Sequence, residues 1–192
     1  MNKHDSEKSL LSNQGCVNCG SSNNENTNIQ PLKEESILSE TSVQDEYAPN
    51  SICFGCGPSN NDGLQLKSYR TKAGLQAAFK CDEKHQAFPG VINGGIIGSL
   101  IDCHGNWTAA IAIMDKKGWD RPRCTVTAQY EVKLKRPTPF GTKLKLNSRV
   151  LALQEDRAEV IIELKADGKT CATGRGLFVA VKEGHPAYHR WH

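Results

Sequence analysis

No stretch of this 192-residue chain comes near the roughly 18 consecutive apolar residues that a membrane-spanning helix needs. The opening residues, MNKHDSEKSLLSNQ, lack the apolar core of a secretory signal. There is no internal repeat beyond two short Cys-x-x-Cys-Gly pieces, and no cluster of basic and aromatic side chains of the kind that binds nucleic acid. These absences argue against membrane-spanning, secreted and nucleic-acid-binding proteins. A cytoplasmic location is the expectation, with the isolated Cys81, Cys103, Cys124 and Cys171 as reduced core residues.

What is present suits one ordinary domain with an appendage. Apolar residues make up 38% of the chain, and 17 glycines bring the core-forming fraction to a globular value. Charge is divided unevenly. Residues 1–50 hold three lysines against eight carboxylates, a net of −5, whereas residues 51–192 hold 21 basic and 13 acidic side chains, a net of +8. The first segment is rich in Ser, Asn and Glu and has no sustained strand or helix period, so it reads as mostly disordered. The basic remainder favours a polyanionic or phosphate-bearing ligand, or merely solubility. The expected division is a segment over 1–50, a domain over 51–182 and a loose tail over 183–192.

Within the domain, GLQLKSYR (63–70) and GLQAAFKC (74–81) read as paired strands, and 82–95 as a loop punctuated by Pro89–Gly90 and Gly94–Gly95. From Ile96 to about Met114 the period becomes helical, with Ile97, Leu100, Ile101, His104, Thr108 and Ile111 on one stripe and Asn93 as a candidate N-cap. Four strands follow, over 124–135, 142–154, 157–166 and 170–181, with a tight Asp167–Gly168 turn between the last two. The fold class is therefore α+β: long antiparallel strands with one helix lying across them. A single helix leaves part of such a sheet uncovered, which predicts at least a dimer.

The helix carries the chemistry. Gly94 and Gly95 at its start expose backbone N–H groups that suit an anion or a developing oxyanion, although a tight loop-to-helix turn uses the same residues. Asp102 lies about 140° around the helix from Ile97, off the apolar stripe. Its neighbours three and four positions away are Gly98, Ser99, Gly105 and Asn106, so another backbone or a narrow ligand has room to approach; a solvated carboxylate is the plainer alternative. Asp102, Cys103 and His104 are consecutive, about 100° apart on the helix, and cannot converge as a triad.

At this point GVINGGIIGSLID (90–102) resembles the helix motif of the PaaI-like hotdog-fold acyl-CoA thioesterases, and the similarity extends over about 50–182. It takes in CFGCGPSNNDGLQLK, the approach loop HQAFPG and TVTAQYEVKLKRPTPFG. The resemblance implies a hotdog fold, a long antiparallel sheet wrapped around one central helix. It implies hydrolysis of an acyl-CoA by a homodimer or homotetramer. By position, the Gly94 N–H polarises the thioester carbonyl, and Asp102 activates water or attacks as nucleophile across a dimer interface. Asn93 stands where the family typically has histidine, and Thr127 matches a residue that helps place water. Gly95 is a further candidate substrate contact. Lys133, Lys135 and Arg136 are candidates for the coenzyme A phosphates on charge alone, with exposed strand-face charges as the alternative. Such hydrolysis requires an oxyanion site, a carboxylate and a slot for the acyl chain, and no cofactor. Asn93 cannot titrate near neutral pH. Ala87 and Cys103 also depart from residues that relatives use. A non-catalytic protein that binds acyl-CoA or an acyl carrier therefore stays open.

The pairs Cys16-x-x-Cys19-Gly and Cys53-x-x-Cys56-Gly resemble zinc knuckles and together offer four sulfur ligands for one structural Zn²⁺. Their separation of 33 residues exceeds that of an ordinary zinc ribbon, and free thiols or a labile disulfide are the alternatives.

Overall fold

The computed structural model describes residues 32, 33 and 35–191. In chain order its elements are α1 (Val43–Tyr47), β1 (Ser68–Arg70), β2 (Gly74–Lys80), a 3-10 turn (Glu83–His85), β3 (Gln86–Phe88), β4 (Val91–Ile92), α2 (Gly94–Lys117), β5 (Thr125–Leu134), β6 (Lys143–Leu153), β7 (Arg157–Ala166) and β8 (Lys169–Ala180). Each long strand ends where the sequence has a turn signal. Between β7 and β8 both Asp167 (φ 48°) and Gly168 (φ 72°) take the left-handed conformation that a two-residue hairpin requires.

The main sheet has the order β1-β2-β6-β7-β8-β5 and is antiparallel throughout. Helix α2 lies across it. The six predicted stripe residues are all buried on α2. The sheet offers them Leu144, Leu146, Val160, Ile162, Leu164, Ala172 and Phe178, each at most 1% exposed. Two glycines bring helix and sheet into close contact. A Cβ at Gly174 would fall 2.2 Å from Ile101 Cγ2, and one at Gly105 would fall 2.7 Å from Phe178 Cζ. This long sheet around one central helix is the hotdog fold.

The ends of α2 explain why it outruns the expected 96–114. At the start, extended Asn93 caps the helix by accepting the Gly95 N–H at 2.7 Å. At the end, left-handed Gly118 donates to the Asp115 carbonyl and Trp119 to that of Met114, with Lys116 and Lys117 in the last turn.

Three expectations need correction. Residues 63–67 are not strand: Leu64 and Leu66 donate to the carbonyls of Phe54 and Gly55, so their backbone bonds go to the Cys-x-x-Cys turn and not to β2. The folded unit does not begin at 51. Val43 and Ala48 are fully buried, Leu38 donates to the Arg70 carbonyl at 2.8 Å, and Leu32 donates to the buried Glu163 carboxylate. The reading of residues 1–31 as disordered falls outside the described residues. The tail expected over 183–192 is not loose over its described residues, 183–191, because Trp191 stacks on Trp107 with ring centroids 4.1 Å apart, and Arg190 donates to the Thr125 carbonyl at 2.9 Å. Among the described residues, no helix is long and apolar enough to cross a membrane.

Candidate functional site

One face of α2 is built from small residues at four-residue spacing, Gly94, Gly98, Asp102 and Asn106, and β5 runs over it. Leu134 lies over Gly94, and the Tyr130 hydroxyl lies over Gly98. Thr127 meets Asp102, and Thr125 bonds Asn106. Strand alternation alone would not aim both the odd-numbered threonines and the even-numbered Tyr130 and Leu134 at one helix. A register shift between Thr127 and Gln129 makes it possible, since one extra residue reverses the parity of the strand.

Asp102 is half-buried, and its Oδ1 accepts the Thr127 hydroxyl at 2.7 Å. Burial raises its pKa above the ordinary aspartate value, while the Thr127 hydrogen bond and the Arg190 charge act in the opposite direction. Asn106 supports the pair from the next turn: its amide donates to the Thr125 carbonyl at 3.2 Å and accepts the Thr125 hydroxyl at 2.7 Å. A proton-accepting group is thus held in place beside a cavity of about 100 Å³, lined by Asp102, Asn106, Thr127, Arg190 and three cysteines.

Asp102 and Thr127, both expected from sequence, are brought together; the remaining candidates lie elsewhere. Gly94 is eight residues earlier on α2, about 12 Å along the axis. Within one chain, its N–H and the Asp102 carboxylate cannot face the same carbonyl carbon. Of the two exposed glycines, Gly95 has its N–H occupied by Asn93, so it is not the anion donor expected, whereas the Gly94 N–H has no partner among the described residues. Lys133, Lys135 and Arg136 are exposed at the end of β5, next to Leu134 and therefore near the helix start; Lys133 pairs with Glu131 at 3.3 Å. Exposed pairs of this kind contribute little to stability and leave the cation available.

The cysteines divide differently from the sequence expectation. Cys16 and Cys19 lie outside the described residues. Cys53 and Cys56 do come together, but with Cys103 of α2, the three sulfurs lying within 4.8 Å of one another. The neighbouring thiols donate toward Cys53 and hold its pKa well below that of an ordinary thiol, whereas Cys103 is pushed up. Sequence reasoning placed Cys103 in the core and missed this grouping, as it missed Arg190 and Trp107. The available signal was helical spacing: Cys103 and Trp107 are one turn apart, on the face that the CFGCG segment covers.

Comparison with solved structures identifies similar folds. A thioesterase superfamily protein from Shewanella loihica PV-4 is 30% identical, with a TM-score of 0.53, over 65% of this chain and 98% of the other. The E. coli PaaI protein from the phenylacetic acid degradation operon is 16% identical, with a TM-score of 0.52, over 62% and 81% of the two chains. Zebrafish thioesterase superfamily member 2 is 19% identical, with a TM-score of 0.51, over 64% and 90%. The last two likenesses concern the fold alone. No family model and no curated protein matches the chain.

Proposed function

Because this chain belongs to the thioesterase superfamily, we propose that it hydrolyses an acyl-CoA to the free acid and coenzyme A, working as a homodimer or a larger even assembly. The observation that carries the reading is the Asp102–Thr127 pair: a half-buried carboxylate with raised pKa, held by a hydroxyl on a helix face of small residues. Such a group accepts a proton from water as the water attacks a thioester carbon, or attacks that carbon itself. The tetrahedral oxyanion then needs a donor, and the unpartnered Gly94 N–H at the positive end of α2 supplies one.

The separation of Gly94 from Asp102 is resolved when a second copy contributes one of the two groups. β5 is the longer of the sheet's two edge strands, ten residues against three in β1, with Tyr130 and Leu134 exposed along it. An exposed edge of this length and character invites pairing with another chain. Pairing along β5 sets each helix start near the other copy's Asp102 face, with Lys133, Lys135 and Arg136 at the rim for the coenzyme A phosphates.

The test is thiol release from short, long and aromatic acyl-CoAs, comparing wild type with Asp102→Asn. That substitution keeps side-chain volume and removes the carboxylate. The expected result is a fall in kcat of about 100-fold or more, with an unchanged circular dichroism spectrum. Equal turnover by the two proteins would remove Asp102 from the mechanism. Asn93 is already committed to capping and has no titratable proton, and this favours a second reading: an acyl-CoA- or acyl-carrier-binding protein without turnover. Ligand-induced stabilisation with no thiol release from wild type would establish that alternative.

A further inference from the structure

The three-cysteine group beside Asp102 is given no part in the hydrolysis proposed above, yet its construction is specific. Cys53 and Cys56 sit on a tight turn in which Gly57 donates to the Cys53 carbonyl at 2.8 Å. Trp107 donates its indole N–H to Cys56 Sγ at 3.3 Å. Donors aimed at sulfur stabilise thiolates rather than thiols, and they are the outer partners that orient a metal's ligands.

The spacing fits a metal. Zn²⁺ binds thiolate at about 2.3 Å, and tetrahedral angles then set sulfurs about 3.8 Å apart. Cys53 and Cys103 are 3.7 Å apart, and all three sulfurs lie within 4.8 Å of one another. The close approach of turn and helix is itself enforced: a Cβ at Gly55 would fall 2.4 Å from Cys103 Sγ, and one at Gly57 would fall 2.4 Å from the Cys53 nitrogen. Only glycines allow the turn to present its two thiols to the third on α2. All three cysteines are free, and Cys56 and Cys103 are nearly inaccessible to solvent.

We propose that Cys53, Cys56 and Cys103 bind one Zn²⁺ per chain, with a solvent molecule from the adjoining cavity as fourth ligand. Three soft donors select a thiophilic ion over a hard one such as Mg²⁺ or Ca²⁺. The ion fastens the 51–57 turn to α2 one position along from Asp102. This revises the sequence expectation in one respect: the third sulfur comes from the central helix and not from Cys16 or Cys19. Arg190, lining the same cavity, offsets the net negative charge of three thiolates around a divalent ion.

The experiment titrates the reduced, chelator-stripped full-length chain with Co²⁺ and then with Zn²⁺. The expected result is one equivalent of Co²⁺ showing thiolate charge-transfer bands and the visible bands of a tetrahedral ion, both abolished by one equivalent of Zn²⁺. Cys103→Ser should weaken binding by about 100-fold or more, since losing a ligand costs at least as much as losing an outer partner. The Cys16→Ser/Cys19→Ser double variant should bind as wild type does. Should Cys103→Ser misfold, alkylation of wild type with mass-spectrometric readout serves instead. Zn²⁺ should then slow the labelling of Cys53, the most accessible of the three, and leave Cys16 and Cys19 unchanged. Absence of the tetrahedral spectrum would overturn the proposal. So would unchanged binding in Cys103→Ser, or loss of binding in the Cys16/Cys19 double variant.

Discussion

His104 is completely buried, and every hydrogen-bond partner it has is neutral. Its Nδ1 accepts the Ser68 hydroxyl at 2.9 Å, while Nε2–H reaches the Leu75 carbonyl at 3.2 Å with Ser148 Oγ alongside at 3.1 Å. Gln44 closes the network by bonding Ser68. Burial lowers the pKa of His104 from 6.5 to about 4. The unfolded chain therefore binds a proton at this residue over a range of pH in which the folded protein does not. Stability from this group is complete above about pH 6.5, declines as pH falls toward 4, and changes no further below that, a loss of about 3 kcal/mol. Urea unfolding between neutral pH and about pH 4.5 should show this decline in wild type and a flatter profile in His104→Asn. Equal profiles would mean that the imidazole is not the titrating group. The sequence placed His104 on the apolar stripe but not its partners, because helical spacing fixes only which stripe a residue joins. The serines that keep His104 neutral come from β1 and β6, far away in the chain.

Among the elements, α2 and the four long strands were readable from periodicity and turn residues, since local chemistry alone ends them. Residues 63–67 were not, because their alternation looks strand-like while their carbonyl partners sit in the Cys-x-x-Cys turn. Nor was the 32–50 segment, which buries a few residues such as Val43 and Ala48 at positions that follow no period. The contact between α2 and β8 yields the sharpest test of packing. Gly174→Ala drives a methyl into the Cγ2 methyl of the buried Ile101, which only a change of the Ile101 rotamer within the packed core or a shift of the helix relieves. Overpacking of this kind costs about 1–3 kcal/mol, so thermal unfolding should come several degrees earlier. An unchanged Tm would show that the helix shifts freely over the sheet.

At the scale of the whole molecule, the element pattern led to an expected dimer because one helix underfills a long sheet, and the exposed β5 edge supports that proposal without the sequence having located it. Tyr130→Lys places a charge on this edge, outside the group of residues assigned to chemistry. Light scattering should show a shift from dimer to monomer, and thiol release should fall with it while the circular dichroism spectrum is retained. A monomeric variant with wild-type turnover would mean that one chain holds a complete site. The docked end of the chain has a separate, optical consequence. Trp107 and Trp191, two of the three tryptophans, form a stacked, water-shielded pair 4.1 Å apart, and Trp107 also touches the Cys56 sulfur. Release of the terminal segment would break the pair and expose both indoles, so the red shift of intrinsic fluorescence gives the chain a label-free gauge of whether its end is seated.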